Sequence, residues 1–183
     1  MFVSADFLAI NYGVNDTIAK FFADREPPVN NLYWKDKLMY LRPEPASLFI
    51  PAMVDTLYKI GIPKDEVLSD AYINLMEQIG HIAAMEEANQ FTQKQAVHEC
   101  IALLQNKYKN EFFYTALVNY MQGGSDNFIA KMITPFNALH RGDIFLFSVC
   151  ILNFDDAMAK KIVEHWFALI SSFLLMDDAD DIE

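Results

Sequence analysis

Apolar residues in this chain recur three and four positions apart, and this spacing constrains the fold more than any other feature. The clearest example runs from Lys64 to Met85, where the apolar side chains share one face of a helix. They are Val67, Leu68, Ala71, Tyr72, Leu75, Met76 and Ile79. Similar spacing covers Leu48–Ile60, Thr92–Lys107 and Ala157–Met176. The sequence therefore predicts an all-α protein.

Glycine, proline and capping residues divide the helical pattern into separate pieces. Gly13 can end a helix that begins near Phe2, and Asn15 or Asp16 can cap the next one. Asp155 or Asp156 can cap the last long helix in the same way. We expect a single-domain bundle of about seven to nine helices over residues 1–176, followed by an acidic tail or helix end over residues 177–183.

Two later segments are less regular. Ser125 is a good N-cap for a predicted helix from Asp126 to Leu139, with a kink at Pro135. The continuous apolar run Ile144–Leu152 fits a buried strand as well as a buried helix. Because no partner strand is evident, we predict a helix there.

The composition is that of a protein with a large hydrophobic core, which can fold without disulfides or a structural metal. The chain has 183 residues, of which 53% are hydrophobic, and Cys100 and Cys150 form neither a disulfide scaffold nor a metal-ligand spacing. The first residues lack a basic stretch and include Asp6, so they make a poor signal peptide. The longest apolar run, Ile162–Met176, is interrupted by Glu164 and is short for a membrane span. We expect a soluble, cytoplasmic protein.

The charge is strongly acidic and unevenly distributed. Fourteen basic and twenty-five acidic residues give a net charge of −11, which disfavours binding to nucleic acid and to anionic membranes. Five acids lie among the last seven residues, and removing them from the sum leaves −6. These acids are Asp177, Asp178, Asp180, Asp181 and Glu183.

The sequence lacks the familiar catalytic motifs. It contains no glycine-rich phosphate loop, no Gly-x-Ser-x-Gly elbow and no His-Glu-x-x-His pair. His98 and Cys100 lie two residues apart on a predicted helix, so their side chains point about 200° away from each other. We interpret Cys100 as a core residue, Glu77 and His81 as a solvated pair four residues apart, and His165 as a hydrogen-bonded core histidine.

The acidic terminus contains the pattern Asp-Asp-x-x-Asp as Asp177, Asp178 and Asp181. In a helix the first and last of these lie on one face, and carboxylates so placed suit Mg²⁺, which prefers oxygen ligands. The stretch "SFLLMDDADDIE" resembles the first aspartate-rich motif of class I isoprenoid synthases, all-helical enzymes that bind a prenyl diphosphate through Mg²⁺. The resemblance implies that these three aspartates bind the metal.

Other features of the chain depart from that family. Its members carry a second metal-binding motif, and the nearest echo here, Asn15–Asp24, has Ala19 and Ala23 where serine and glutamate are required. Carboxylates at the C-terminus of a helix also face the negative end of its dipole. The alternative interpretation is that the last helix ends at Met176 and the acids form a solvated terminus.

The sequence therefore favours an interaction module or an apolar-ligand-binding module without catalytic apparatus and without a cofactor. Fifteen phenylalanines, nine methionines and eight tyrosines are many for a chain of this length. They either fill the core or form exposed patches that bind a protein partner, including a second copy in a homodimer. The alternative is a Mg²⁺-dependent isoprenoid-synthase-like enzyme.

Deletion of residues 177–183 separates the two interpretations of the terminus. If the acids are solvated, the deletion should leave the melting temperature unchanged or raise it by about one to two degrees, because it removes mutual repulsion and an unfavourable dipole contact. If they bind metal, millimolar Mg²⁺ with a prenyl diphosphate should stabilise the intact protein alone, by about 2.7 kcal/mol at a hundred times the Kd. We expect the first result in thermal melts of both proteins.

Overall fold

The structure is a computed structural model that describes residues 4–25, 49–133 and 142–180, with the backbone alone at positions 177, 178 and 180. Within these ranges it contains nine α-helices and no strand, which confirms the prediction of an all-α multi-helix fold. The helices are α1 (Ala5–Tyr12), α2 (Asp16–Asp24), α3 (Phe49–Ile60), α4 (Lys64–Val67), α5 (Asp70–Glu87), α6 (Gln93–Leu103), α7 (Glu111–Met121), α8 (Leu146–Val149) and α9 (Asp156–Asp180). None of these helices has the length and apolar character needed to cross a membrane.

Among the described residues α1 begins at Ala5, later than the start near Phe2 that the sequence predicts, while its end and the start of α2 lie where they are predicted. The Ser4 hydroxyl accepts a hydrogen bond from the Phe7 N–H at 3.1 Å and caps α1. Gly13 ends α1 in the left-handed conformation, with φ of 62°. The Asn15 side chain then accepts from the Thr17 N–H at 3.1 Å and caps α2.

The predicted helix over Lys64–Met85 is two helices, so the prediction of one continuous helix is wrong. Ser69 has an extended backbone between α4 and α5, and its hydroxyl accepts from the Tyr72 N–H at 3.3 Å. A serine side chain can replace a backbone acceptor in this way, so the chain turns and starts a new helix.

The helix predicted after Ser125 is also absent from residues 125–133, which form turns. The Asn127 side chain accepts from the Ala130 N–H at 2.8 Å and donates to the Gly124 carbonyl at 3.0 Å. These local bonds satisfy backbone groups without a regular helix. The predicted kink at Pro135 lies outside the described residues.

The segment from Asp143 to Cys150 lies at the centre of the bundle, and every residue in it is buried. It consists of a 3₁₀ turn over Asp143–Phe145 followed by α8, so the helical prediction for Ile144–Leu152 holds over the strand alternative, although the helical turns are short. The segment packs against α5, α6 and α7. We call it the central segment.

A buried carboxylate ties the central segment to two long helices. Asp143 is 5% exposed and accepts hydrogen bonds from the Tyr120 hydroxyl at 2.5 Å and from the Trp166 indole N–H at 2.8 Å. Tyr120 belongs to α7 and Trp166 to α9. Burial and the charge of Asp143 raise the pKa of the Tyr120 hydroxyl, so it stays protonated and donates.

Aromatic packing holds α3 and α9 around the same segment. The ring of Phe49 lies 5.2 Å from the rings of Phe145 and Trp166 and 6.1 Å from that of Phe173, each in an edge-to-face arrangement. Such pairs contribute about 0.5–1.5 kcal/mol each beyond the burial of their surface.

The prediction that Glu77 and His81 form a solvated pair is wrong for Glu77. It is 2% exposed, so it is not half of a solvated pair with His81. The Arg25 guanidinium at the end of α2 donates to both Glu77 carboxylate oxygens, one of them at 2.9 Å. The helical spacing between positions 77 and 81 was visible in the sequence, whereas a partner 52 positions away was not.

Replacing Arg25 should therefore destabilise the protein. In Arg25→Met the Glu77 carboxylate stays buried without its bidentate partner, and we expect the free energy of unfolding to fall by about 3 kcal/mol in a urea titration. The control is Lys131→Met, which removes an exposed ion pair with Asp126 and should leave the urea midpoint unchanged. Equal midpoints for the two variants would contradict a structural role for the buried pair.

Candidate functional site

The acidic terminus continues the last helix. The α9 backbone is helical through Asp180, so the alternative in which the helix ends at Met176 is wrong. The backbones of Asp177 and Asp178 are therefore part of α9, while Asp181 lies outside the described residues. The positions of these carboxylates are not described, and the Mg²⁺ site stays a prediction.

The two cysteines belong to the core, as predicted for Cys100. Cys100 and Cys150 are free and buried, and burial raises the pKa of each thiol. At neutral pH both are protonated, so neither is an activated nucleophile. His165, which is partly exposed, has its Nδ1 atom 2.8 Å from the Lys161 carbonyl, so its predicted hydrogen bond is present at a less buried position.

A more developed site lies where the first turns of α7 and α9 meet. The Asn110 side chain caps α7, since its oxygen accepts from the Phe113 N–H at 2.7 Å. Its amide nitrogen reaches the chain before α9 and donates to the Phe154 carbonyl at 3.1 Å and to the Asp156 carboxylate at 3.4 Å. One amide side chain, itself 8% exposed, thus fixes the two helix ends relative to each other.

An open groove of about 610 Å³ lies between these helix ends. We call it the α7–α9 groove. Its lining residues are Lys109, Asn110, Glu111, Phe112, Phe154, Asp155, Asp156 and Ala157. The lining combines aromatic rings with charged side chains, and the groove is shallow and open to solvent.

The apolar part of the groove is a chain of phenylalanine rings. Phe112 is 42% exposed, and its ring stacks on Phe128 at 4.9 Å between centroids. Next to it the fully buried Phe113 lies edge-on to Phe154 at 5.4 Å. The exposed ring of Phe112 therefore packs on one neighbouring ring, that of Phe128.

The charged part of the groove is mainly acidic. Asp155 caps α9 by accepting from the Met158 N–H at 2.8 Å, and Glu111 is exposed in the first turn of α7. Acids in the first turn of a helix are favoured by its dipole, which explains locally why these residue types are found here. Two helix ends placed side by side concentrate their carboxylates along one groove.

Lys109, the basic residue in the lining of the groove, lies near the carboxylate of Glu66, which is outside the groove. Burial alone would raise the pKa of the Glu66 carboxyl, but hydrogen bonds from Asn153 and the charge of Lys109 lower it below its ordinary value. Asn153 donates to Glu66 from its backbone N–H at 3.0 Å and from its side chain at 3.1 Å. The charge of Lys109 is thus partly matched by Glu66 on α4.

A second depression, between α3 and α9, has little capacity. It is lined by residues that include Leu57, Ile162 and Trp166, and its volume is about 10 Å³. A single water molecule needs about 10–15 Å³ by the same kind of measure. This pocket cannot hold an apolar ligand.

The groove was missed in the sequence. Its local signals are visible in "KNEFF" and "NFDDA", where a capping residue adjoins phenylalanine and acids. Nothing in the sequence shows that Asn110 bonds to Phe154, which lies 44 positions later. Comparison of the chain with protein-family models, with curated proteins and with solved structures finds no match. What the groove can bind is therefore inferred from its own geometry and charge.

Replacing Asn110 should weaken the fold at the groove. Asn110→Ala removes the cap of α7 and leaves the Phe154 carbonyl without its donor, so we expect the free energy of unfolding to fall by about 2 kcal/mol. Thr92→Ala serves as the comparison, because it removes only the exposed cap of α6 and should lower the free energy of unfolding by about 1 kcal/mol or less. Urea titrations of the two variants measure the difference, and a smaller loss for Asn110→Ala would contradict the bridging role.

Proposed function

We propose that the protein is a protein-interaction module that holds a peptide segment of a partner protein in the α7–α9 groove. The observation that carries this proposal is the exposed ring of Phe112, fixed on Phe128 at the edge of an open groove of about 610 Å³. An aromatic side chain has few rotatable bonds, so it loses little entropy on binding and makes an effective anchor at an interface.

The composition of the groove fits a protein interface better than a site for an apolar small molecule. Protein interfaces are enriched in aromatic residues and bordered by polar ones, and the groove combines Phe112 and Phe154 with charged side chains. An apolar small molecule would need an enclosed cavity, and the pocket between α3 and α9 is too small for one.

The groove is also formed before any partner binds. Its walls are the ends of α7 and α9, and Asn110 holds them together through hydrogen bonds to Phe113, Phe154 and Asp156. A preformed groove avoids the ordering cost that weakens binding to a flexible surface. The site can therefore accept an extended segment without rearrangement of the bundle.

Replacement of Phe112 tests the proposal. Peptides enriched from a random phage-displayed library on the intact protein should bind it in fluorescence anisotropy, and Phe112→Ser should weaken that binding by about 30-fold or more, as expected for an interface anchor. The control is Ile10→Ser, which removes an apolar side chain that is 80% exposed on α1 and should leave binding unchanged.

Two outcomes would overturn the proposal. One is a library in which no sequence is enriched over many rounds. The other is a set of enriched peptides whose binding responds to Ile10→Ser but not to Phe112→Ser. Far-ultraviolet circular dichroism of both variants shows that a loss of binding does not come from unfolding.

A second candidate function is that of a Mg²⁺-dependent isoprenoid-synthase-like enzyme that binds a prenyl diphosphate through Asp177, Asp178 and Asp181. The observation in its favour is that the helical backbone of α9 includes Asp177 and Asp178, while Asp181 lies outside the described residues. The melts with Mg²⁺ and diphosphate, carried out on the protein with and without residues 177–183, test this candidate directly.

A further inference from the structure

We propose that the segment held in the α7–α9 groove carries arginine or lysine side chains next to an apolar side chain. This inference depends on the proposed function, since it names the chemistry of the partner at the same site. It follows from the charge of the groove, from the free acceptor positions of its carboxylates and from the aromatic rings in the same lining.

The rim of the groove carries a negative charge that its surroundings only partly offset. Glu111, Asp155 and Asp156 provide three carboxylates and Lys109 one ammonium group, which leaves a formal charge of −2. The N-termini of α7 and α9 contribute about half a positive charge each, so about one negative charge remains. The chain as a whole adds to this field with its net charge of −11.

Two of the three carboxylates already have a structural role that uses only part of their hydrogen-bonding capacity. One oxygen of Asp155 accepts from the Met158 N–H, and one oxygen of Asp156 accepts from the Asn110 amide. A carboxylate has about four acceptor positions, so each can also accept from a guanidinium or ammonium group.

A metal ion is a poor occupant of this rim. Over the described ranges, no group of three or more histidine, cysteine, aspartate or glutamate side chains is arranged to hold a metal. Metal ligands must converge on one point, whereas arginine and lysine side chains of a peptide can reach separate carboxylates along the groove. The rim thus favours an organic cation.

A second copy of this chain is also a poor occupant. In a two-fold dimer the same patch faces itself, so a contact centred on this groove would bring its carboxylates together. Like charges placed opposite each other across an interface are strongly disfavoured. The homodimer expected from the sequence stays a prediction, and it would have to use another surface.

The aromatic rings suit a cationic segment for a separate reason. The chain already places cations over rings elsewhere, with the Arg25 guanidinium 5.6 Å from the Phe21 ring centre and the Lys64 ammonium 5.0 Å from the Tyr58 ring centre. Phe112 and Phe154 line the groove together with Glu111, Asp155 and Asp156, so a bound segment can place a cation and an adjacent apolar side chain against rings and carboxylates alike. A segment that alternates the two kinds of side chain would use the whole lining.

The test uses three labelled peptides of equal length, in which leucine alternates with arginine, with glutamine or with glutamate. In fluorescence anisotropy at physiological salt the arginine–leucine peptide should bind at least about tenfold more tightly than the glutamine–leucine peptide, and the glutamate–leucine peptide should not bind. A fourth peptide, which alternates arginine with serine, should bind weakly because it lacks the apolar contact with Phe112.

Charge reversal locates the effect in the groove. Glu111→Lys should weaken binding of the arginine–leucine peptide about tenfold or more. Asp16→Lys is the matched control, because Asp16 is also an exposed acid in the first turn of a helix, on α2, and the change in net charge is the same. It should alter binding less than about twofold at physiological salt, where distant charges are screened.

The possible results separate this inference from the proposed function. If the glutamine–leucine peptide binds as tightly as the arginine–leucine peptide and both depend on Phe112, the groove is a docking site and the inference about charge is wrong. If Asp16→Lys and Glu111→Lys weaken binding equally, the peptide is attracted by the net charge of the protein and not by the groove carboxylates. The inference is then wrong as well. If no peptide depends on Phe112, both the inference and the proposed function fail.

Discussion

The burial of the central segment is the constraint on which the rest of the bundle depends. Every residue from Asp143 to Cys150 is enclosed, so the polar groups of this stretch need partners inside the protein. Tyr120 and Trp166 supply two of them by donating to Asp143, which fixes α7 and α9 to the centre. The long apolar face of α9 is therefore held by a directed polar contact as well as by packing.

The same constraint positions the groove. The Lys109 N–H donates to the carbonyl of Cys150 at 2.9 Å, which attaches the start of α7 to the end of the central segment. The next residue, Asn110, donates to the Phe154 carbonyl and brings the start of α9 alongside. The acids that begin the two helices stabilise each helix by itself, and their juxtaposition gives the groove its charge. The surface proposed to bind a cationic partner is thus positioned by the way in which the core is built.

The features that the sequence predicted are those encoded within one helical turn. Gly13 and Asn15 act on neighbours a few residues away, and their roles were correctly predicted, whereas the cap at Ser4 was not. The buried state of Glu77 and the bridge made by Asn110 depend on partners far along the chain, which periodicity cannot show. The breaks at Ser69 and Asn127 were missed for another reason: their side chains form local hydrogen bonds that compete with a helix whose apolar spacing continues across them.

The proposed docking of a cationic, partly apolar segment in the α7–α9 groove can be mapped by amide chemical-shift changes when the isotope-labelled protein is titrated with the arginine–leucine peptide. We expect saturable changes confined to the backbone amides around Lys109–Phe112 and Phe154–Ala157. Changes centred instead on the exposed apolar residues Ile10 and Leu175, or spread over the acidic surface without saturation, would contradict it.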